Sequence, residues 1–284
     1  MNPTRHAVAQ GARRGAIELR QVLTNGQDLT TNLVWLFGLL GPLYFLRDDK
    51  LPGADLSVAT FVLPSLLAMC VGFNGLLMLA QQLVVDREDG TLLRLKALPQ
   101  GIAAYLSGKV IFISGMVAFA WVMVIAVGAV LVDDLTLTEA GRWLTLAWLL
   151  PLGLLALLPL GAVIGSLVES PRSIGLIMLP VFALAAVSGI FYPVGGFPYW
   201  AQLVAQASPL YWLGLGARSA FLPDSALTAE IGDSWRHWET FTALGIWAVI
   251  GLIAAPIVLR LAARRESGST MTVRRDRALS RQTA

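Results

Sequence analysis

Protein chemistry needs a nucleophile beside a base, a metal set, or a cradle for phosphate, and this sequence offers few such groups. Its only histidines are His6 and His237, far apart in the chain, and its one cysteine is Cys70. These make no Cys/His metal set. Cys70 lies inside an apolar run and reads as a small packing residue. A lone cysteine forms no intrachain disulfide, so the redox compartment is not legible from it. The nearest text to a phosphate-binding loop runs from Ala103 to Gly108-Lys109-Val110. Such a loop needs a first glycine, and a hydroxyl after the lysine to hold magnesium. Both are missing here. No catalytic residue, no metal site and no cofactor bound by this chain are expected.

Charge is concentrated instead in Asp86-Arg-Glu-Asp-Gly-Thr-Leu-Leu-Arg-Leu-Lys-Ala-Leu-Pro99, between two long apolar segments. The first half is acidic and broken at Gly90. The second half, 91–98, predicts a short amphipathic helix. Thr91 serves as N-cap, Leu92, Leu95 and Leu98 share a face, and Arg94 and Lys96 project away from it. Pro99 cannot continue a helix and disfavours helical geometry at Leu98, so it marks the end. A helix of this kind lies on a membrane surface and offers a firm knob to a cytoplasmic partner.

The elements that position this loop follow from composition. The chain is 56% hydrophobic and 14% charged, with mean hydropathy +0.68, whereas soluble domains carry about 25% charged residues. An all-α integral membrane protein is expected, with no soluble catalytic domain. A bilayer core takes roughly 20 apolar residues of helix. Six segments are read as spans: 32–46, 56–85, 104–132, 143–167, 174–190 and 241–261. With both ends of the chain cytoplasmic, 16 of the 21 Lys and Arg lie inside and 5 outside, which sets the orientation. Tyr44, Trp143, Tyr199, Trp200, Trp235 and Trp238 then fall near the outer face, where amphipathic rings belong. Residues 1–29 read as a cytoplasmic interfacial helix, 30–261 as the six spans and 262–284 as a basic cytoplasmic tail, all one transmembrane domain.

Span interiors hold essentially no acids, which argues against proton relays. Their polar residues are mild. Asn74 and Gln81 are seven apart on the second span, hence on one face. Two roles stand open for them, lining a pathway or hydrogen-bonding between helices. After the fifth span, Ser188-Gly-Ile-Phe-Tyr-Pro-Val-Gly-Gly-Phe-Pro-Tyr-Trp200 leads into two short helices split at Ser208-Pro209. The region is too apolar for an exposed loop and too broken to span. Irregular backbone at membrane depth needs protein cover, so two half-inserted, re-entrant helices are expected to plug the outer end. The other reading is an interfacial loop that gates nothing.

Two stretches resemble the ABC-2 type transporter permeases. The pattern Arg87-Glu-x-Gly90-Thr-Leu-x-x-Leu95-x-x-x-Pro99 resembles their coupling-helix region. The region with Ser188, Gly189, Phe191, Tyr192 and Pro193, then Phe197-Pro198, Pro209-Leu210-Tyr211-Trp212 and Arg218, resembles their outer signature. The closest likeness is to the drug-exporter permeases found beside daunorubicin-resistance-like ATPases. The resemblance implies a six-transmembrane-helix permease of type V exporter-like fold, with two membrane subunits and two separate ATPase subunits that bind ATP and magnesium. The membrane subunits would be two copies of this chain or a pair of paralogues. It also implies that Arg87, Glu88, Gly90, Thr91, Leu92, Arg94, Leu95, Leu98 and Pro99 face the ATPase, and that Ser188, Gly189, Phe191, Tyr192, Pro193, Phe197, Pro198 and Pro209 form an outer gate. The substrate class implied is amphipathic or hydrophobic, a drug, antibiotic or lipid-like molecule leaving a bacterial cell through the inner membrane. Export of a polysaccharide or glycolipid, and a non-transporting membrane scaffold, are the alternatives. Lipids are the other partner and nucleic acid is not one.

Overall fold

The computed structural model describes residues 3–50, 56–132, 139–168 and 174–265. Among these, regular structure is helical, apart from one isolated bridge between Lys50 and Ser57. In chain order the helices are α1 (Pro3–Thr24), α2 (Gly26–Phe45), α3 (Val58–Cys70), α4 (Met78–Glu88), α5 (Thr91–Lys96), α6 (Gly101–Leu131), α7 (Ala140–Leu167), α8 (Ile174–Val187), α9 (Tyr199–Ala207), α10 (Pro209–Phe221) and α11 (His237–Arg265). All six apolar segments read from the sequence are therefore helical.

Among the described residues four helical stretches are long and apolar enough to cross a bilayer: Val58–Glu88, which runs from α3 through α4, Gly101–Leu131, Ala140–Leu167 and His237–Leu259. The sequence reading expects six. The difference falls on α2, whose first turns carry Gln27, Asp28, Thr30, Thr31 and Asn32, and on α8, which has 14 residues. At 1.5 Å per residue α8 is about 21 Å long, short of a hydrocarbon core of about 30 Å. Residues 133–138 of the expected outer loop lie outside the described residues. The expected basic tail begins at 262, but 262–265 continue α11, and the rest of it lies outside the described residues.

Contacts between helices set a consistent alternation of ends. At one end Arg87, in the last turn of α4, reaches the C-terminus of α7. At the other, Arg142 at the start of α7 donates to Leu222 O after α10, 2.7 Å away. Lipid is as apolar as leucine, so close backbone approach holds such helices together more than burial does. Two seams show it. A Cβ at Gly161 would lie 2.4 Å from Leu76 O, and one at Gly165 would lie 2.7 Å from Ala80 O. On the other side Gly11 and Gly15 of α1 press on Ala104 and Gly108 of α6, where a Cβ at Gly15 would meet Gly108 O at 2.1 Å.

These contacts also orient α1. Gly11 meets Ala104, Gly15 meets Gly108 and Leu19 meets Gly115, so the two helices run parallel. The expected interfacial helix thus lies lengthwise on α6 instead of resting free against headgroups. Asn25 separates α1 from α2 and caps the latter, its side chain accepting from Gln27 N.

Two local readings change. The second span is not one regular helix, because a π-helical stretch, Val71–Leu77, joins α3 to α4. Wider π turns shift the register between its two halves, so a seven-residue spacing no longer guarantees one face. Trp121 Nε1 donates to Leu67 O at 2.9 Å, just before this stretch. The short loop helix also differs. Its N-cap is Gly90, in left-handed geometry at φ 69°, and Thr91 is the first helical residue. A residue without Cβ takes that turn with least strain. The helix ends at Lys96, not Leu98, because Leu98 precedes Pro99 and is held out of helical geometry.

Candidate functional site

The charged loop is built as a tight corner between α4 and α6. Leu92 and Leu95 are half-buried and pack against the core, while Glu88 and Arg94 are exposed. Arg94 Nη2 donates to Asp89 O at 3.2 Å, which braces the turn. Leu98 does not join its two leucine partners. It sits past the helix end and is 58% exposed. Pro99 is exposed beside it. Arg87 also departs from the rest of the loop. It is buried, and its guanidinium donates to Ser166 O at 2.9 Å and Val168 O at 3.0 Å. These are among the carbonyls that α7 leaves unsatisfied at its C-terminus, where a cation is favoured. Arg87 therefore ties the loop to α7, while Glu88, Asp89 and Arg94 stay exposed.

At the opposite end the residues from Ser188 to Pro209 gather around a charge. Arg218, on α10, has no exposed surface. Its Nε and Nη2 donate to the two oxygens of Glu230, itself buried, with the Nη2 contact at 3.2 Å. Nη1 donates to Ser65 Oγ of α3 at 2.8 Å and to Gly189 O after α8 at 3.0 Å. The guanidinium plane also lies 4.9 Å from the centre of the Phe61 ring. Gly189 makes the turn at φ 75°, and Ser188 is buried with its hydroxyl donating to Ala185 O. Phe191, Pro193 and Phe197 are half-buried, while Tyr192 and Pro198 are exposed. Gln202 of α9 holds the backbone between them, donating to Phe197 O at 2.9 Å and Gly195 O at 3.2 Å. Pro209 is buried at the first turn of α10, whose cap is Ser208. Two more ties lock the end of α9 to α11 and the residue before it. Arg236 donates to Gln206 Oε1 at 3.0 Å, and Trp247 Nε1 donates to Ala207 O at 3.1 Å.

Asn74 and Gln81 are not brought together. Asn74 lies in the π-helical stretch and lines a small cleft with Asn32 and Trp35, a cleft to which Gln81 does not contribute. Beside it Phe73 meets Trp35 at 5.9 Å and Phe182 of α8 at 4.7 Å, centre to centre. Sequence reasoning placed Arg218 in the outer signature but missed Glu230. The signal was present: an arginine in the apolar helix Leu213-Gly-Leu-Gly-Ala-Arg-Ser-Ala-Phe221 needs a partner once buried. Nothing in the loop around Glu230 marked it as that partner.

All-helical architecture, bilayer-length helices joined by short corners and a charged loop at one end define a multi-pass membrane protein. Residues 43–259 match the family model described as ABC-2 family transporter protein. The match covers most of the chain, and the chain belongs to that family, as a membrane transport component that works with an ABC ATPase. No curated protein matches the chain closely enough to add to this.

The outer cluster makes a sharp prediction. Removing one member of a buried pair leaves an uncompensated charge and costs about 3–5 kcal/mol, whereas replacing both with apolar groups is often neutral. Arg218→Ala and Glu230→Ala should each lower the thermal unfolding midpoint of the detergent-purified protein. The double variant Arg218→Met with Glu230→Leu should recover much of the loss. Equal stability of wild type and both single variants would show that the pair holds nothing together.

Proposed function

We propose that this chain is the membrane permease of an ATP-driven exporter, moving an amphipathic or hydrophobic molecule such as a drug, antibiotic or lipid-like compound out of a bacterial cell. The observation that carries this reading is the exposed Glu88–Arg94 knob, braced by Leu92 and Leu95 against the core and anchored through Arg87 to α7. A loop fixed in this way transmits a push instead of absorbing it. Two copies of a separate ATPase bind ATP and magnesium and press on this loop in each of two membrane subunits. α2 and α8 complete six spans, with the loop end and both ends of the chain in the cytoplasm of a cell bounded by its inner membrane.

At the outer end, Phe191, Tyr192, Pro193, Phe197 and Pro198 close the pathway where two subunits meet. Apolar closure suits an exporter, because dry side chains block ions yet yield to an amphipathic molecule. The Asn74 cleft and its aromatic neighbours lie on the pathway between the two ends. Gln81 serves packing between helices.

Pull-down of the ATPase tests the coupling role. Glu88→Ala combined with Arg94→Ala should weaken ATPase capture or hydrolysis while membrane insertion persists. Capture and turnover equal to wild type would remove the loop from the interface. Orientation is read by an impermeant maleimide on a Cys70→Ala background. Thr138→Cys should react in intact cells and Ser269→Cys only after the membrane is broken, and the reverse order would invert the topology. For the outer closure, Phe191→Cys or Phe197→Cys should crosslink between subunits at rest and stop transport. A crosslinked exporter that runs at the normal rate would reduce this region to a static cap.

A further inference from the structure

Where α1 meets the charged loop, the protein leaves a cavity of about 300 Å³, walled by α1, α5, the end of α4 and the base of α6. Side chains from three helices converge on its wall. Lys109 Nζ, on α6, lies 3.2 Å from Glu18 Oε1 on α1 and 3.8 Å from Asp86 Oδ2 on α4. Tyr105, one turn earlier on α6, donates its hydroxyl to the same Asp86 oxygen. The lysine side chain is 14% exposed, so solvent screens its contacts poorly.

Each partner has a distinct mechanical address. Asp86 stands in the last turn of α4, just before the Gly90 corner. Glu18 stands near the end of α1, which leads through Asn25 alone into α2. The glycine seam already fixes α1 on α6 through Gly11 and Gly15. What the seam leaves free is movement of the α4–α5 corner against that pair. Among the described residues, Lys109 and Tyr105 reach across this gap to Asp86. A single carboxylate would suffice to neutralise the lysine. Two carboxylates on different helices, facing a cavity rather than sealed in packing, form a junction that holds three helices in one arrangement.

We propose that Lys109 is a positioning residue that makes α1, the α4–α5 corner and the base of α6 move as one body. A push on the loop then reaches α2 through α1, and not only the two helices the loop connects. This inference rests on the coupling role proposed above, but its central claim is about the permease itself.

Spin labels at Ala16→Cys on α1 and Leu98→Cys beyond α5, both exposed positions, read that claim by electron paramagnetic resonance on a Cys70→Ala background. In the otherwise wild-type protein the distance distribution should be narrow. It should stay at the same distance when the ATPase partner and a non-hydrolysable ATP analogue are added. Lys109→Gln should broaden it, and Lys109→Arg should restore it, because charge and reach return together. Asp86→Asn gives the same reading by a second route if Lys109→Gln fails to insert. A distance that shifts with nucleotide in the wild type, or a distribution that stays narrow in both Lys109→Gln and Asp86→Asn, would overturn the proposal. Failure of the ATPase to bind the wild-type chain would instead count against the coupling role, and the comparison of variants in the permease alone would still decide the junction.

Discussion

A buried guanidinium cannot escape its cost by losing a proton, because arginine stays charged inside proteins. Arg218 has no exposed surface, so its charge must be met where it lies. Glu230 supplies both carboxylate oxygens, and Ser65, the Gly189 carbonyl and the Phe61 ring meet the Nη1 donors and the guanidinium face. That single requirement reaches α3, the turn after α8, α10 and the loop before α11. Each would leave a charge or a polar group unpaired by moving alone. Such an arrangement is a poor source of net stability, since desolvating two ions cancels much of their attraction. What it does supply is a unique geometry for an end of the protein whose chain is otherwise broken by glycine and proline.

The end that carries the charged loop is held by different means. Backbones touch along the α1–α6 and α7–α4 seams because glycines remove the side chains that would separate them. The charges there are shared and partly exposed, and a cavity adjoins them. Arg87 neutralises the C-terminus of α7 and so converts a flexible corner into a strut. One end is thus centred on a buried charge network, and the other is a set of stiff rods joined at polar pivots. A transporter driven by a partner on one side of a membrane needs that asymmetry, because force must enter where parts can move together and be resisted where they cannot.

The apolar segments, the corner at Gly90, the break at Ser208-Pro209 and the resemblance to ABC-2 permeases were all legible in the residues. Each depends on local properties: a run of apolar side chains, a residue free to adopt positive φ, a proline lacking its amide hydrogen. Those properties travel with the sequence and need no partner. Even so, small shifts escaped notice. Gly90 and not Thr91 caps α5, because the corner needs left-handed geometry more than a hydroxyl. Leu98 leaves the leucine face because the proline after it ends the helix early.

The tertiary structure alone decided which polar groups meet. Ser65 and Arg218 are 153 residues apart, Arg87 and Val168 are 81 apart, and Lys109 and Glu18 are 91 apart. No periodicity links such pairs, since each is made by the stacking of helices whose order in space the hydrophobic pattern does not encode. The π-helical stretch at Val71–Leu77 was not read either, although Gly72, Asn74 and Gly75 within it are poor helix formers. The sequence by itself determined that this chain is a bundle of membrane helices with a charged loop at one end. Which helix lies on which, and which charge each buries, was settled by packing, because a lipid-soluble helix gains little from one apolar neighbour over another and is placed by backbone fit and by the polar groups it must satisfy.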